Sequence, residues 1–149
     1  MAAVRTATVT WQGPLATGDG TVTAGSSGLF TDLPVSWGSR TEAPEGRTSP
    51  EELLAAAHAA CYAMALSGDL GRAGYSPDEL HVEAEVTFEK LEGGWTVTAS
   101  ALTVLGHVPG ISHEEFDRIA EGTKDGCPIS RALKANVALS VEATLESDG

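Results

Sequence analysis

The sequence predicts an α+β domain. The first third alternates in twos and breaks at glycines, a long alanine-rich helix follows, and a hairpin, two helices and a last strand complete the order. A chain of 149 residues fits one domain, 1–149, better than two. At that size roughly two-thirds of the unfolded surface is buried without any staple. No internal repeat, linker or low-complexity tract interrupts it.

Residues Val4 to Trp11 set Val4, Thr6, Thr8 and Thr10 against Ala7, Val9 and Trp11, the period of a strand. Gly18-Asp19-Gly20 is a turn signal, followed by a short strand and a second glycine-rich turn. Gly38 to Pro50 is dominated by Pro, Gly, Ser and Thr and reads as a loop carrying Arg40 and Arg47. Ser49-Pro50-Glu51-Glu52 then opens a helix with a hydroxyl at N-cap, proline at N1 and glutamate at N3, a capping box. This helix runs to about Gly71 and holds seven alanines between Ala55 and Ala65, which predicts close packing on several sides. Leu54, Ala57, His58, Cys61, Met64 and Ala65 form one of its stripes.

His81 to Lys90 alternates Val82, Ala84, Val86 and Phe88 against Glu83, Glu85, Thr87 and Glu89. Glu92-Gly93-Gly94 turns the chain, and Trp95 to Leu105 returns as the partner strand. Ser112, with Glu115 at N3, starts a helix to about Lys124. Cys127-Pro128 opens a short third helix through about Ala135, and Val137 to Leu145 alternates as the final strand.

Nine basic against 21 acidic residues give a net charge of −12, so phosphate backbones and anionic membranes are repelled and nucleic acid is a poor partner. No run of about 18 consecutive apolar residues predicts a membrane span. The N-terminal MAAVRTATVTWQG lacks a continuous apolar stretch, so the expected compartment is the cytoplasm.

Two cysteines, Cys61 and Cys127, are too few for a closed zinc site. In a reducing compartment they are either inert packed thiols or redox groups. Cys127 precedes Pro128 at a helix start, where unpaired N–H groups and the helix dipole favour a thiolate. Cys61 lies mid-helix on an apolar stripe, where burial raises a thiol's pKa. It becomes a nucleophile only if a cation reaches it, and Arg40 or Arg47 is the candidate. A buried arginine needs a carboxylate, and Glu51 suits that role because Glu52 is committed to the cap. His58, one turn before Cys61, reads as a hydrogen-bonded interfacial histidine, since HxxC supplies only half a zinc site. Glycine-rich stretches lack any nucleotide-binding pattern.

TSPEELLAAAHAACYAMALS at 48–67 and GCPISRALKANVALSV at 126–141 resemble the OsmC/Ohr family of thiol peroxidases. VTWQGPLATGDGTVTAGSSG and VPGISHEEFDRIAEGTKDGCP extend the resemblance over nearly the whole chain, and the AAHAAC helix is nearer the OsmC branch. The resemblance implies an OsmC-like fold of antiparallel sheets packed around a buried central helix, in an intertwined homodimer that shares its active sites. It also implies reduction of organic hydroperoxides by a cysteine pair with no bound cofactor, and re-reduction by an external dithiol (lipoyl dithiol, thioredoxin or a small thiol). Carried over by residue, Cys61 is the peroxidatic and Cys127 the resolving cysteine, Glu51 the active-site glutamate and Arg40 the best match to the arginine, with Arg47 as competitor. Helix-end electrostatics alone favour Cys127 as first nucleophile; the family pattern assigns that role to Cys61, and a low-pKa Cys127 then serves as a good leaving sulfur. The apolar neighbours Leu54, Ala57 and Met64 favour bulky peroxides over hydrogen peroxide. The alternative is a non-catalytic dimeric binding or stress-interaction protein on the same fold.

Overall fold

The computed structural model describes residues 1–146, so the last three positions of the expected 1–149 domain lie outside the described residues. Two units, Met1–Leu53 and Leu54–Gly149, are taken in turn.

In the first, β1 (Ala7–Gln12), β2 (Asp19–Ala24) and β3 (Leu33–Val35) form an antiparallel sheet in the order β1-β2-β3. The β1 ladder runs from Ala7 opposite Ala24 to Gln12 opposite Asp19, three residues later in its start than the alternation predicts. Before Ala7 the chain is drawn into a turn instead: Thr6 O accepts from both Gly25 N and Ser26 N, and Thr6 N donates to Ser26 Oγ. Every residue of β1 is exposed, including Val9 and Trp11, so its alternation marks no buried face within the single chain.

The predicted loop from Gly38 contains a helix, α1 (Trp37–Thr41). Ser36 Oγ accepts from Ser39 N and Ser39 Oγ from Ser36 N, both at 3.1 Å, a reciprocal cap that a Ser-Gly composition hides from any periodicity. Ser39 Oγ also donates to Thr48 O at 2.9 Å, and Thr48 N donates to Pro34 O at 2.9 Å. These bonds tie the end of the loop to β3 and α1 just before α2 (Pro50–Arg72) begins. Ser49 Oγ accepts from Glu52 N at 3.1 Å as a cap should, whereas the Glu52 carboxylate accepts from Thr48 Oγ1 at 2.7 Å.

In the second unit α2 buries His58, Tyr62, Leu66 and Leu70, one residue in four along a single line. The stripe expected from sequence is therefore rotated: Ala57 and Met64 are exposed, and Cys61 is half-buried. With seven alanines between Ala55 and Ala65, hydrophobicity barely distinguishes the faces there, and the bulk of Tyr62, Leu66 and Leu70 decides which one packs. Among the described residues α2 is the one helix long and apolar enough to cross a membrane. Its buried line joins Leu102, Val104, Phe116 and Ala120 in one core cluster, as in a core helix.

β4 (Glu79–Leu91), β5 (Gly94–His107) and β6 (Ala138–Leu145) form the second sheet with β5 central. Ser100, Leu102, Val104 and Gly106 point inward from β5, while Glu83 and Glu85 of β4 stand in solvent as their alternation predicts. This sheet is mixed rather than wholly antiparallel, because β6 pairs parallel with β5, Ala99 opposite Ala138 through Gly106 opposite Leu145. The intervening helices α3 (His113–Gly126) and α4 (Pro128–Leu133) carry the chain back along the sheet, and such a crossover returns it in the same direction. Ser112 caps α3 through Glu115 N at 3.2 Å. Tyr62 Oη donates to Ala120 O at 2.8 Å and Thr123 Oγ1 to Asp69 Oδ2 at 2.5 Å, locking α3 onto α2.

Candidate active site

Chemistry-bearing residues gather in two places. In the first unit Arg40 lies in the last turn of α1 and Glu51 in the first turn of α2. Arg40 Nε donates to Glu51 Oε1 at 2.9 Å and Oε2 at 3.1 Å, and its Nη2 approaches Oε1 at 2.8 Å. Glu51 is nearly buried, so the fork is geometrically tight where a surface ion pair would be loose. Trp37 lies under the guanidinium, with Arg40 Cζ 5.9 Å from the ring centroid. Arg47 goes elsewhere, to Asp19 Oδ1 at 2.8 Å on the surface. Of the two candidate arginines, Arg40 is the one held by Glu51.

Beside this pair is an open, mainly apolar cleft of about 470 Å³, lined by Val9, Trp11, Leu15, Trp37 and Leu53, with Arg40 among its walls. A site of this make-up suits a ligand with an apolar body and a polar end.

In the second unit both cysteines are free, Cys127 buried and Cys61 half-buried on α2. Burial pushes the Cys61 thiol up from its ordinary value, the Ile129 backbone N–H opposes that, and the hydrogen-bonded Cys127 side chain adds to the rise. The two sulfurs that sequence places 66 positions apart (127 less 61) are thus brought together. Cys127 caps α4, its Sγ accepting from Ser130 N at 3.3 Å and its thiol donating to Ser130 Oγ at 3.1 Å. With only six residues α4 carries little dipole, so direct hydrogen bonds are the main influence of the helix on this sulfur.

His58 is fully buried, with Nδ1 2.7 Å from Ser100 Oγ and Nε2 2.7 Å from Ser130 Oγ. Both ring nitrogens are therefore engaged by hydroxyls, and burial lowers the imidazole's pKa below 6.5. The sequence predicts a hydrogen-bonded interfacial histidine; the hydrogen bonds are there, but His58 is buried within the single chain, and neither serine partner is foreseen. The available signals were a serine among the inward apolar positions of the strand at 94–107 and a serine three residues after Cys127.

Residues 43–142 match the OsmC-like protein family. The chain is 42% identical over 132 residues to peroxiredoxin OsmC of Escherichia coli, covering 89% of this chain and 91% of that protein. Its structure resembles the organic hydroperoxide resistance protein OhrB of Bacillus subtilis, with a TM-score of 0.73 at 27% identity over 93% of this chain and 98% of that one. An OsmC-like protein of Mycoplasma pneumoniae shares the fold at a TM-score of 0.74 and 15% identity, over 99% and 100% of the two chains. A family match over most of the chain, joined to a long 42% identical alignment, makes this protein a member of the OsmC-like family.

Proposed function

We propose that the protein is a cysteine peroxidase that reduces organic hydroperoxides to alcohols, and hydrogen peroxide more weakly, in defence against oxidative or osmotic stress. The observation that carries this is the pair of free thiols, Cys61 against Cys127, in a chain 42% identical to a peroxiredoxin. The Cys61 thiolate attacks the distal peroxide oxygen; the S–O bond forms, the O–O bond breaks and the alcohol leaves with a proton. Cys61 sulfenic acid then condenses with the Cys127 thiol to a disulfide and water. An external dithiol reduces the disulfide and is itself oxidised.

Arg40 is the cation of this scheme and Glu51 its holder. A thiol whose pKa is raised by burial calls for a positive charge, and a guanidinium gripped by two carboxylate oxygens keeps both its charge and its aim. The apolar cleft beside Arg40 supports a preference for peroxides with a bulky organic body. Ala57 and Met64, exposed in the single chain, give Cys61 no apolar enclosure by themselves. The working form is a homodimer of one OsmC-like domain per chain, in the cytoplasm.

The deciding experiment is the intact mass and disulfide map of reduced protein after one equivalent of cumene hydroperoxide. Loss of two hydrogens with a Cys61–Cys127 crosslink is the expected result. Thiols that remain reduced would leave a non-catalytic binding protein on the same fold.

A further inference from the structure

Ser130 joins two groups that the peroxidase scheme leaves unconnected. Its Oγ lies 3.1 Å from Cys127 Sγ on one side and 2.7 Å from His58 Nε2 on the other. Past the ring, Nδ1 is 2.7 Å from Ser100 Oγ. All four residues are fully buried. Counting hydrogens assigns the direction. The Cys127 thiol donates to Ser130 Oγ, so the hydroxyl's own hydrogen turns to Nε2. Nε2 is then the unprotonated ring nitrogen, and Nδ1–H donates to Ser100.

We propose that Cys127, Ser130 and His58 form a proton relay that readies the resolving cysteine. This inference rests on the peroxidase reading and adds to it the fate of the second thiol's proton. As Cys127 gives its proton to Ser130 Oγ, Ser130 passes its own to His58 Nε2. The Cys127 thiolate attacks the Cys61 sulfenic sulfur; the S–S bond forms and the S–O bond breaks. The departing hydroxide takes back one proton, drawn from His58 through Ser130, and leaves as water. Cys127 sulfur is oxidised and Cys61 sulfur reduced to the shared disulfide level, with the organic hydroperoxide as the original oxidant.

The need for such a path follows from burial. Cys127 has no exposed surface, so its proton has no direct route to bulk water. A lone thiolate there is costly, whereas a thiolate formed together with an imidazolium two bonds away is partly compensated. The Ser130 backbone N–H, 3.3 Å from Sγ, already points at the developing charge. The groups facing His58 are Ser100 from β5, Ser130 from α4 and, through Ser130, Cys127; Cys61 lies one turn along α2. Because burial lowers the imidazole's pKa, the ring is neutral and able to accept at pH 7. Ser130 touches the reacting sulfur, and His58 and Ser100 are positioning residues that act through it.

The test mixes reduced wild type, Ser130→Ala, Ser130→Thr and His58→Gln with one equivalent of cumene hydroperoxide. Samples are quenched with dimedone, and the Cys61 adduct and the disulfide are quantified by mass from about pH 5 to about pH 9, the range spanning imidazole and thiol titration. Ser130→Ala is expected to form sulfenic acid at the wild-type rate but to close the disulfide roughly a hundredfold more slowly, the usual worth of positioned proton transfer. Its closure rate should climb with pH where wild type is nearly flat, and Ser130→Thr should restore the wild-type profile. Closure by Ser130→Ala and His58→Gln at the wild-type rate and pH profile overturns the relay alone. Equal slowing of sulfenic acid formation and closure also overturns it, as general structural damage. If His58→Gln does not fold, Ser130→Ala decides. Wild type that yields neither adduct nor disulfide overturns the peroxidase reading, and the relay falls with it.

Discussion

Glu51 grips Arg40 with both carboxylate oxygens, and the fork fixes where the guanidinium sits. Arg40→Lys keeps the charge but loses the fork. Peroxide reduction should fall roughly ten- to a hundredfold in kcat/KM, the equivalent of charge-assisted bonds worth about 1.5–3 kcal/mol, while unfolding in urea changes little. Cys61→Ser should abolish turnover, and Cys127→Ser should consume one equivalent of peroxide and then stop; multiple turnover by Cys61→Ser would sink the scheme. The pH dependence has a definite sign. In the proposed scheme the Cys61 thiolate attacks, and burial raises the Cys61 pKa, so the rate of oxidation should rise with pH and level off above the thiol's pKa. Removing the cation in Arg40→Ala should move that plateau to higher pH, as followed by stopped-flow peroxide consumption.

At the level of elements, Gly106 shows how closely α3 sits on the sheet. A Cβ added there would lie 2.5 Å from Phe116 Cζ, and Phe116 is fully buried. Gly106→Ala therefore overpacks the core between β5 and α3 and should cost about 1–3 kcal/mol in urea unfolding. A variant as stable as wild type would mean that the ring has room to move. The same strand holds Ser100, so any shift of β5 also disturbs the hydroxyl that orients His58. The β4–β5 hairpin carries its irregularity just beyond the Ser100 end of this inner row, with a bulge where Thr87 faces Ala99 and Phe88 faces Val97. Phe88 and Trp95 stack there at 5.0 Å between centroids and steady the far end of the ribbon.

For the whole molecule, the buried histidine sets a sensitivity to acid. His58 has a folded-state pKa below its unfolded value of 6.5, because burial disfavours the imidazolium. Below that unfolded value the unfolded chain binds the proton more readily, so this contribution to stability is intact above about pH 6.5 and is lost as pH falls toward the folded-state pKa. Thermal unfolding followed from neutral to mildly acidic pH should show that slope, and His58→Gln should flatten it. The exposed Val9, Trp11 and Met64 are apolar surface of the kind a second subunit covers. Sedimentation should give a particle of two 15.3 kDa chains, and a monomer at micromolar concentration would remove the shared site from the scheme.

The local elements were legible in the amino-acid order because their causes are local. Ser49 and Ser112 cap helices, the glutamates of β4 take the wet face, and Leu139, Val141, Ala143 and Leu145 turn inward, as neighbouring residues dictate. Cys61, Cys127, Arg40 and Glu51 could be named from motifs, but not the hydrogen bonds that hold Arg40 on Glu51 or those around Cys127. Only the tertiary structure paired Glu51 with Arg40 rather than Arg47, since that pairing depends on Ser39 and Thr48 drawing α1 to the start of α2. It alone rotated the buried line of α2, because the alanine-rich middle of the helix has no preferred face until larger side chains find a core. It alone made β6 parallel, because strand direction is set by the path of the chain through α3 and α4. His58 finds its hydroxyls 42 and 72 residues away, and hydrogen bonds over such separations form only after the chain has packed.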